Sequence, residues 1–341
     1  RNLLHFISAI RNSKPGKECL HIMNHTTTLK ENLRQEKYQA ILTDLYVDPN
    51  RIDYQTTRYI KAIECYETAF GAGGVSIYSA PGRSEIGGNH TDHQHGEVLA
   101  ASINNDAIAV VSPLDEPVVK VISDSYELIT IDLGNLSLQE SEKGSTRALI
   151  KGVLVSAQER GYRIGGFQTY ITSDVLIGAG LSSSAAFETI IGTILSGLYN
   201  EMKISPIEIA MMGQYAENVY FGKPCGLMDQ MACSVGGMIT IDFKDPLKPV
   251  VEKIDYDFGA QDHSLIIVQT GKGHADLSAE YSSIPSDMKK VAAVFGKEVC
   301  ADITEEEVIA RVTEVKEKAG DRALLRALHF FEENKRVEKE V

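Results

Sequence analysis

At 341 residues, with 43% hydrophobic and 24% charged side chains, the chain has the length for two packed domains and the composition of an ordinary globular protein. Its net charge of −13 excludes a general nucleic-acid or anionic-membrane surface, while leaving room for a local basic pocket that takes phosphate. Five scattered cysteines without a C-x-x-C pair argue against a zinc knuckle or a disulfide framework and favour a reducing, cytoplasmic setting. No apolar run approaches the ~18 residues of a membrane span, and Arg1 to Ile10 lack the core of a secretory signal, so no membrane partner is expected. Met23 is the expected true start.

Residues 24–70 read as helical, with Tyr59, Ile60, Ile63, Cys65, Tyr66 and Phe70 forming a stripe that Gly71 stops. Short strand patterns follow at 75–80, 97–102, 107–112 and 118–123, broken by Pro, Asp and Gly as antiparallel strands are. A helix is expected around Ala148 to Gly161, and residues 167–173 alternate as a strand. The clearest helix covers 184–200, where Phe187, Ile190, Ile191, Ile194, Leu195 and Leu198 recur at helical spacing. Ser205-Pro206-Ile207-Glu208 is a capping box with proline in the first turn, opening a helix that runs to about Gly222. Strands are expected at 236–243 and 264–271, and the chain is helical and charged from 284 onward. Helices and strands mix without regular alternation, which gives an α+β class.

Asp174 to Ala186 (DVLIGAGLSSSAA) joins a strand to the best helix in the chain. Gly178 and Gly180 let the backbone curl around Ala179 and Leu181. Ser182, Ser183 and Ser184 fall at the helix start, where free N–H groups and the macrodipole favour an anion. Serine hydroxyls there can also hold Mg²⁺ beside a triphosphate. The plainer role is helix capping, which any serine there would serve; two glycines with three consecutive serines favour phosphate. Neither G-x-x-x-x-G-K-[ST] nor G-x-G-x-x-G occurs, which removes the P-loop and the Rossmann fingerprint.

Gly82 to Gly96 (GRSEIGGNHTDHQHG) carries His90, Asp92, His93 and His95, which read either as a metal cluster on a strand or as a polar, substrate-reading loop. On a strand His90 and His93 would point opposite ways, and no cysteine or distant carboxylate motif completes a ligand set.

GAGLSSSAA resembles the second signature of the GHMP small-molecule kinases, SAPGRSEIGGNHTDH resembles the sugar-binding first motif of their galactokinase branch, and GKPCGLMDQMAC resembles that branch's G-(I/L)-M-D-Q element. Weaker likeness continues through 270–281 and 326–337, so the resemblance covers most of the chain after about residue 59. It implies a two-domain GHMP kinase fold, with a ribosomal S5 domain 2-like N-terminal domain and a ferredoxin-like C-terminal domain. The expected division is a helical extension over 1–58, the N-terminal domain over 59–258 and part of the C-terminal domain over 259–341. It also implies an ATP- and Mg²⁺-dependent sugar 1-kinase that makes galactose 1-phosphate. A related sugar such as a uronic acid, or a non-catalytic sugar sensor on the same fold, is the alternative.

By this resemblance Asp229 is the base that orients or deprotonates the anomeric hydroxyl, where an N-cap aspartate is the plainer role. Arg83 is the cation that keeps Asp229 ionised and stabilises charge on the phosphoryl group. Gly178 to Ser184 hold ATP, and Ser184 with Glu217 takes Mg²⁺. Asp92, His90, Asn89 and Tyr281 line the sugar pocket. The family pattern is R-V-N-L-I-G-E-H-T-D-Y; here Asn89 stands for the glutamate, His93 for the tyrosine and Ser84-Glu85 for the Val-Asn pair, which bears on the sugar's C6 hydroxyl. Leu176 stands where the second motif often has proline. The family's third motif, of the type T-G-x-G-x-G-G, has no counterpart after residue 296, so the C-terminal domain is expected to be incomplete.

Overall fold

The computed structural model describes residues 23–341 except 125, 257, 259–262, 264 and 269–277. Eight strands form its sheet: β1 (Asn24–His25), β2 (Gly74–Gly87), β3 (Glu97–Leu114), β4 (Val118–Ser123), β5 (Ile129–Asp132), β6 (Gly166–Ser173), β7 (Met238–Asp242) and β8 (Val250–Ile254). Their order is β1-β2-β3-β6-β4-β5, with β7 also on β3 and β8 outside β7. Helices α1 (Thr26–Arg34), α2 (Gln39–Tyr46) and α3 (Ile52–Phe70) precede the long strands. Then come α4 (Thr146–Glu159), α5 (Ser183–Tyr199), α6 (Pro206–Tyr215), α7 (Met228–Val235), α8 (Ser278–Val294), α9 (Glu305–Ala310), α10 (Val312–Ala319) and α11 (Asp321–Glu340).

The helices cover both faces of the sheet. On one face Ile150 and Leu154 of α4 and Ile190 and Ile194 of α5 pack on Ala109, Val111, Phe167 and Ile171. On the other, Leu29, Leu42, Tyr59 and Ile63 of α1, α2 and α3 pack on Val75, Ile77, Ile108 and Val110. Each such side chain, fully removed from water, contributes about 1.5–3 kcal/mol. The division expected at residue 58 falls inside α3. In α5 the expected stripe is met: Ile190, Ile191, Ile194 and Leu195 are wholly buried. Both bonds of the capping box form at Ser205 and Glu208, and α6 passes into a π-helical turn over Ala216–Phe221 that ends at Gly222.

Three local expectations are corrected. The two strands expected at 97–102 and 107–112 are one, β3, which changes partners along its length: Glu97–Ala101 pair with β7, and Ala107–Leu114 with β6. The polar residues between are satisfied from the helical side, because Arg58 bonds Asp106 and Arg51 bonds Asn105. The pairing is not wholly antiparallel, since β4 runs parallel to β6. Leu265–Val268, expected to be strand, lie outside any regular element, and much of 264–271 lies outside the described residues.

The last four helices bury their own cluster, with Met288, Val291, Val315, Leu324 and Phe330 inside. α11 reaches the first-motif loop, where a Cβ on Gly96 would meet Phe330 and Asn334 at under 3 Å.

Candidate active site

β2, the loop before α5 and the start of α7 converge on one carboxylate. Asp229 is the second residue of α7, with Leu227 as the N-cap, so it is not the capping aspartate. Arg83 of β2 donates Nε to its Oδ1 at 2.8 Å, and Nη2 stands 2.7 Å from the same oxygen. Ser182 Oγ donates to its Oδ2 at 2.5 Å. Burial opposes the charge of Arg83, but Asp229 beside it outweighs that and raises the guanidinium pKa.

The same arginine fixes the expected phosphate loop: Nη1 donates to Gly180 O at 2.7 Å, and its backbone N–H to Leu181 O at 3.2 Å. A side chain at residue 82 would meet Leu181 O at 2.8 Å and Val175 Cγ1 at 2.9 Å, so only glycine lets strand and loop approach. Gly178 and Gly180 have φ of 72° and 73°, and Ser182, the α5 N-cap, has φ 56°. Ser182 makes no side-chain cap bond, its hydroxyl being turned to Asp229, so the first-turn N–H groups of a 17-residue helix take nothing from it. Ser183 and Ser184 are half-buried in that turn.

Ser184 and Glu217 come together as expected: Ser184 Oγ donates to Glu217 Oε1 at 3.2 Å, and Lys223 Nζ stands 3.5 Å from the same oxygen. Glu217 lies on the π-helical turn and is 4% exposed. Gln230 Nε2 bridges its Oε2 (2.9 Å) to Oε2 of Glu188 (3.1 Å). Glu188 is buried on α5, and burial, then the nearby Glu217, push its pKa well above the usual carboxylate range.

In the loop expected to read the sugar, Asp92 Oδ2 accepts from Met228 N (3.3 Å) and Oδ1 from His93 N (2.9 Å), which ties the first-motif loop to the start of α7. A Cβ on Gly226 would lie 1.7 Å from Asp92 Oδ2, so that position must be glycine. His90 packs edge-on to Tyr281 at 5.8 Å and stacks on His93 at 6.5 Å. Asn89 is exposed; its N–H donates to Glu333 Oε2 (3.0 Å), and its carbonyl lies 2.9 Å from His329 Nε2.

The metal reading of His90, Asp92, His93 and His95 is not met. Asp92–Gln94 is a 3-10 turn rather than a strand, and among the described residues no three His, Cys, Asp or Glu gather as ligands.

Four further polar side chains were assigned no role from the sequence. Glu85, on β2, accepts from Asn89 Nδ2 and His90 N, both at 3.1 Å, and burial pushes its carboxyl up to about 7. Its signal was an acid beside Arg83 in a glycine-rich motif. Glu188 was visible as an acid on the buried side of an apolar helix, one turn after Ser184. Gln230 follows Asp229 directly. Glu333 had no local signal, since its partner is over 240 residues away.

A family model for the N-terminal domain of GHMP kinases matches residues 148–237, and one for the galactokinase galactose-binding signature matches 64–113. The chain is 31% identical over 283 residues to a galactokinase of Streptomyces coelicolor, covering 82% of this chain and 71% of that protein. It belongs to the galactokinase family. A galactokinase of Pyrococcus furiosus is 34% identical over 230 residues, or 67% of this chain and 62% of that protein. The structure of Lactococcus lactis galactokinase complexed with galactose superposes with a TM-score of 0.66 at 24% identity, over 81% of this chain and 71% of that one. Methanococcus jannaschii mevalonate kinase shares the fold at a TM-score of 0.50, with 14% identity, 77% of this chain and 80% of that one. The fold is therefore that of the GHMP kinases, and the enzyme class that galactokinase membership carries is an ATP-dependent sugar kinase.

Proposed function

We propose that this galactokinase-family chain transfers the γ-phosphoryl of ATP to the anomeric hydroxyl of galactose, with Asp229 as the base. The observation that carries the reading is the single arginine that touches both halves of the reaction. Arg83 holds Asp229 through Nε and the phosphate loop through the carbonyl of Gly180.

Phosphoryl transfer needs a positioned nucleophile and neutralised charge more than covalent help from the protein. Asp229 accepts the sugar hydroxyl's proton or orients it. Ser182 Oγ, now donating to Oδ2, yields that acceptor or relays through it. Arg83 pairs with the carboxylate and places a cation where negative charge grows on the phosphoryl oxygens. The start of α5 takes the phosphates on backbone N–H groups between Gly178 and Ser184.

Mg²⁺ takes one or two protein oxygens and completes its shell with phosphates and water. Ser184 Oγ and Glu217 Oε1, 3.2 Å apart at the phosphate end of α5, fit that need. Bound there, the ion would neutralise phosphate charge. Asp92, His90, Asn89 and Tyr281 form the sugar side of the proposed site. The reaction draws on ATP in a reducing compartment, and we place the protein in the cytoplasm; no helix among the described residues is long and apolar enough to cross a membrane.

The test is an ADP-coupled assay of the full chain over hexoses, deoxy sugars and uronic acids. The expected result is ADP release that requires both Mg²⁺ and galactose. ADP release indifferent to sugar, or fastest with a uronic acid, would overturn the assignment. Sugar binding without any turnover would make the protein a sensor.

A further inference from the structure

Arg83, Ser84 and Glu85 pair with Ser102, Ala101 and Ala100 of β3 without interruption, so Arg83 and Glu85 share one face of β2. That face turns toward the reacting carboxylate, and Glu85 senses Arg83 on its own strand, Asp92 from the loop and Asp229 from α7. The strand therefore delivers a second carboxylate to the sugar side of the cleft.

Each oxygen of Glu85 already has one protein donor. Oε1 accepts from the N–H of His90, and Oε2 from the side-chain amide of Asn89. An ionised carboxylate has about four acceptor positions, so about two remain, and Glu85 is only half-buried. Asn89 is not free to move away. Glu333 and His329 of α11 hold its backbone N–H and carbonyl, while its side chain, exposed at the loop tip, stays paired to Glu85.

The family pattern R-V-N-L-I-G-E places an amide where this chain has Glu85 and an acid where it has Asn89. The two differences were separate departures in the sequence; a 3.1 Å hydrogen bond joins them in the structure. We propose that Glu85, not residue 89, supplies the carboxylate that accepts hydrogen bonds from the sugar's hydroxyls, with Asn89 as its amide partner, the acid and amide having exchanged places as a unit. Losing an acceptor that a buried hydroxyl needs leaves that hydroxyl unpaired, so the effect falls on sugar recognition rather than on ATP. The inference rests on the galactokinase reading above.

The test compares the wild-type full chain with Glu85→Asn, Asn89→Glu and the double exchange, in the ADP-coupled assay and by the melting shift that galactose induces. Glu85→Asn is expected to raise the KM for galactose about tenfold or more, with the KM for ATP within about twofold. Asn89→Glu faces two carboxylates against each other and is expected to do the same. The double exchange is expected to return the KM for galactose to within about threefold of wild type, a non-additivity diagnostic of direct coupling.

A double exchange no better than the worse single variant overturns the proposal, as does Glu85→Asn with an unchanged KM. Should the exchanged chain fail to fold, Glu85→Gln keeps the shape and one acceptor, and an unchanged KM for galactose in that variant overturns the proposal equally. A wild type without turnover on any sugar refutes the proposed function instead. The melting shifts then decide: galactose shifting wild type and double exchange but neither single variant supports the pairing, and any other pattern overturns it.

Discussion

Replacing Asp229 by Asn removes one negative charge and almost no volume. An asparagine oxygen can still face Arg83 Nε and Nη2, which stand 2.8 and 2.7 Å from Oδ1, and its NH₂ can face Ser182 Oγ. Arg83 also keeps the Gly180 carbonyl, so the phosphate loop stays where it is. What disappears is the proton acceptor and the negative charge that faces the guanidinium. A positioned general base contributes about 10²–10⁴-fold. At about 1.4 kcal/mol per tenfold, that is about 3–6 kcal/mol of transition-state stabilisation. The expectation is a kcat lower by about two to four orders of magnitude, with the KM for galactose and for ATP each within about threefold. Single-turnover and steady-state ADP release with saturating galactose and Mg²⁺ read the first, and the galactose-induced melting shift reads retained binding. A kcat within tenfold of wild type would refute Asp229 as the base.

Glu217→Gln removes the charge that Ser184 and Lys223 share; the Mg²⁺ concentration for half-maximal rate is expected to rise about tenfold, and an unchanged Mg²⁺ dependence would move the ion elsewhere. Gly226→Ala drives a Cβ into Asp92 Oδ2, and the misplaced loop is expected to raise the KM for galactose by about tenfold or more, an effect absent if the sugar does not touch Asp92. Asp106→Asn leaves the buried Arg58 short of its closest carboxylate, 2.6 Å away, and is expected to cost about 3–5 kcal/mol in urea denaturation; a cost under about 1 kcal/mol would mean that Asp174 suffices. For Glu85, burial raises the native pKa to about 7. The native state then binds the proton more tightly than the unfolded chain, so this group's contribution to stability falls as pH rises from about 4.5 to 7. The charged form is the one that accepts sugar hydroxyls, so kcat/KM for galactose is expected to rise over the same approach to pH 7. Glu85→Gln should flatten both slopes, and persistence of either would assign it to another group, His90 on the first-motif loop being one that titrates.

What sequence revealed was whatever is local. The helix over 183–199 announces itself by spacing, α6 by its capping box, and the curled loop before α5 by glycines and serines meeting a helix start. β3 was misread because Asn104, Asn105 and Asp106 look like a turn. They are tolerated in mid-strand because Tyr46, Arg51 and Arg58, some 50 residues earlier, come back to bond Asn104, Asn105 and Asp106. The parallel pairing of β4 with β6 has the same origin, being set by how helix and sheet pack rather than by either strand. In the candidate site, Asp229, Arg83 and Ser182 were each legible through motifs, but that one arginine joins Asp229 to the loop before α5 is a fact of three dimensions. Glu188 shows the limit well: an acid among isoleucines reads as an oddity until Gln230 is seen to tie it to Glu217.

Glu333 of α11 anchors the backbone of the first-motif loop. One of its carboxylate oxygens accepts the backbone N–H groups of both Gly88 and Asn89 (3.2 and 3.0 Å), and its pKa falls because those N–H groups and Arg336 outweigh the burial that opposes its charge. The tip of the sugar loop is thus moored to a helix near the other end of the chain. For anyone hoping to transplant substrate preference between kinases of this fold, the loop is not a portable cassette. The residues proposed to touch the sugar would arrive in the new host without the anchorage that sets their height above the cleft, and the graft would have to bring α11 with it.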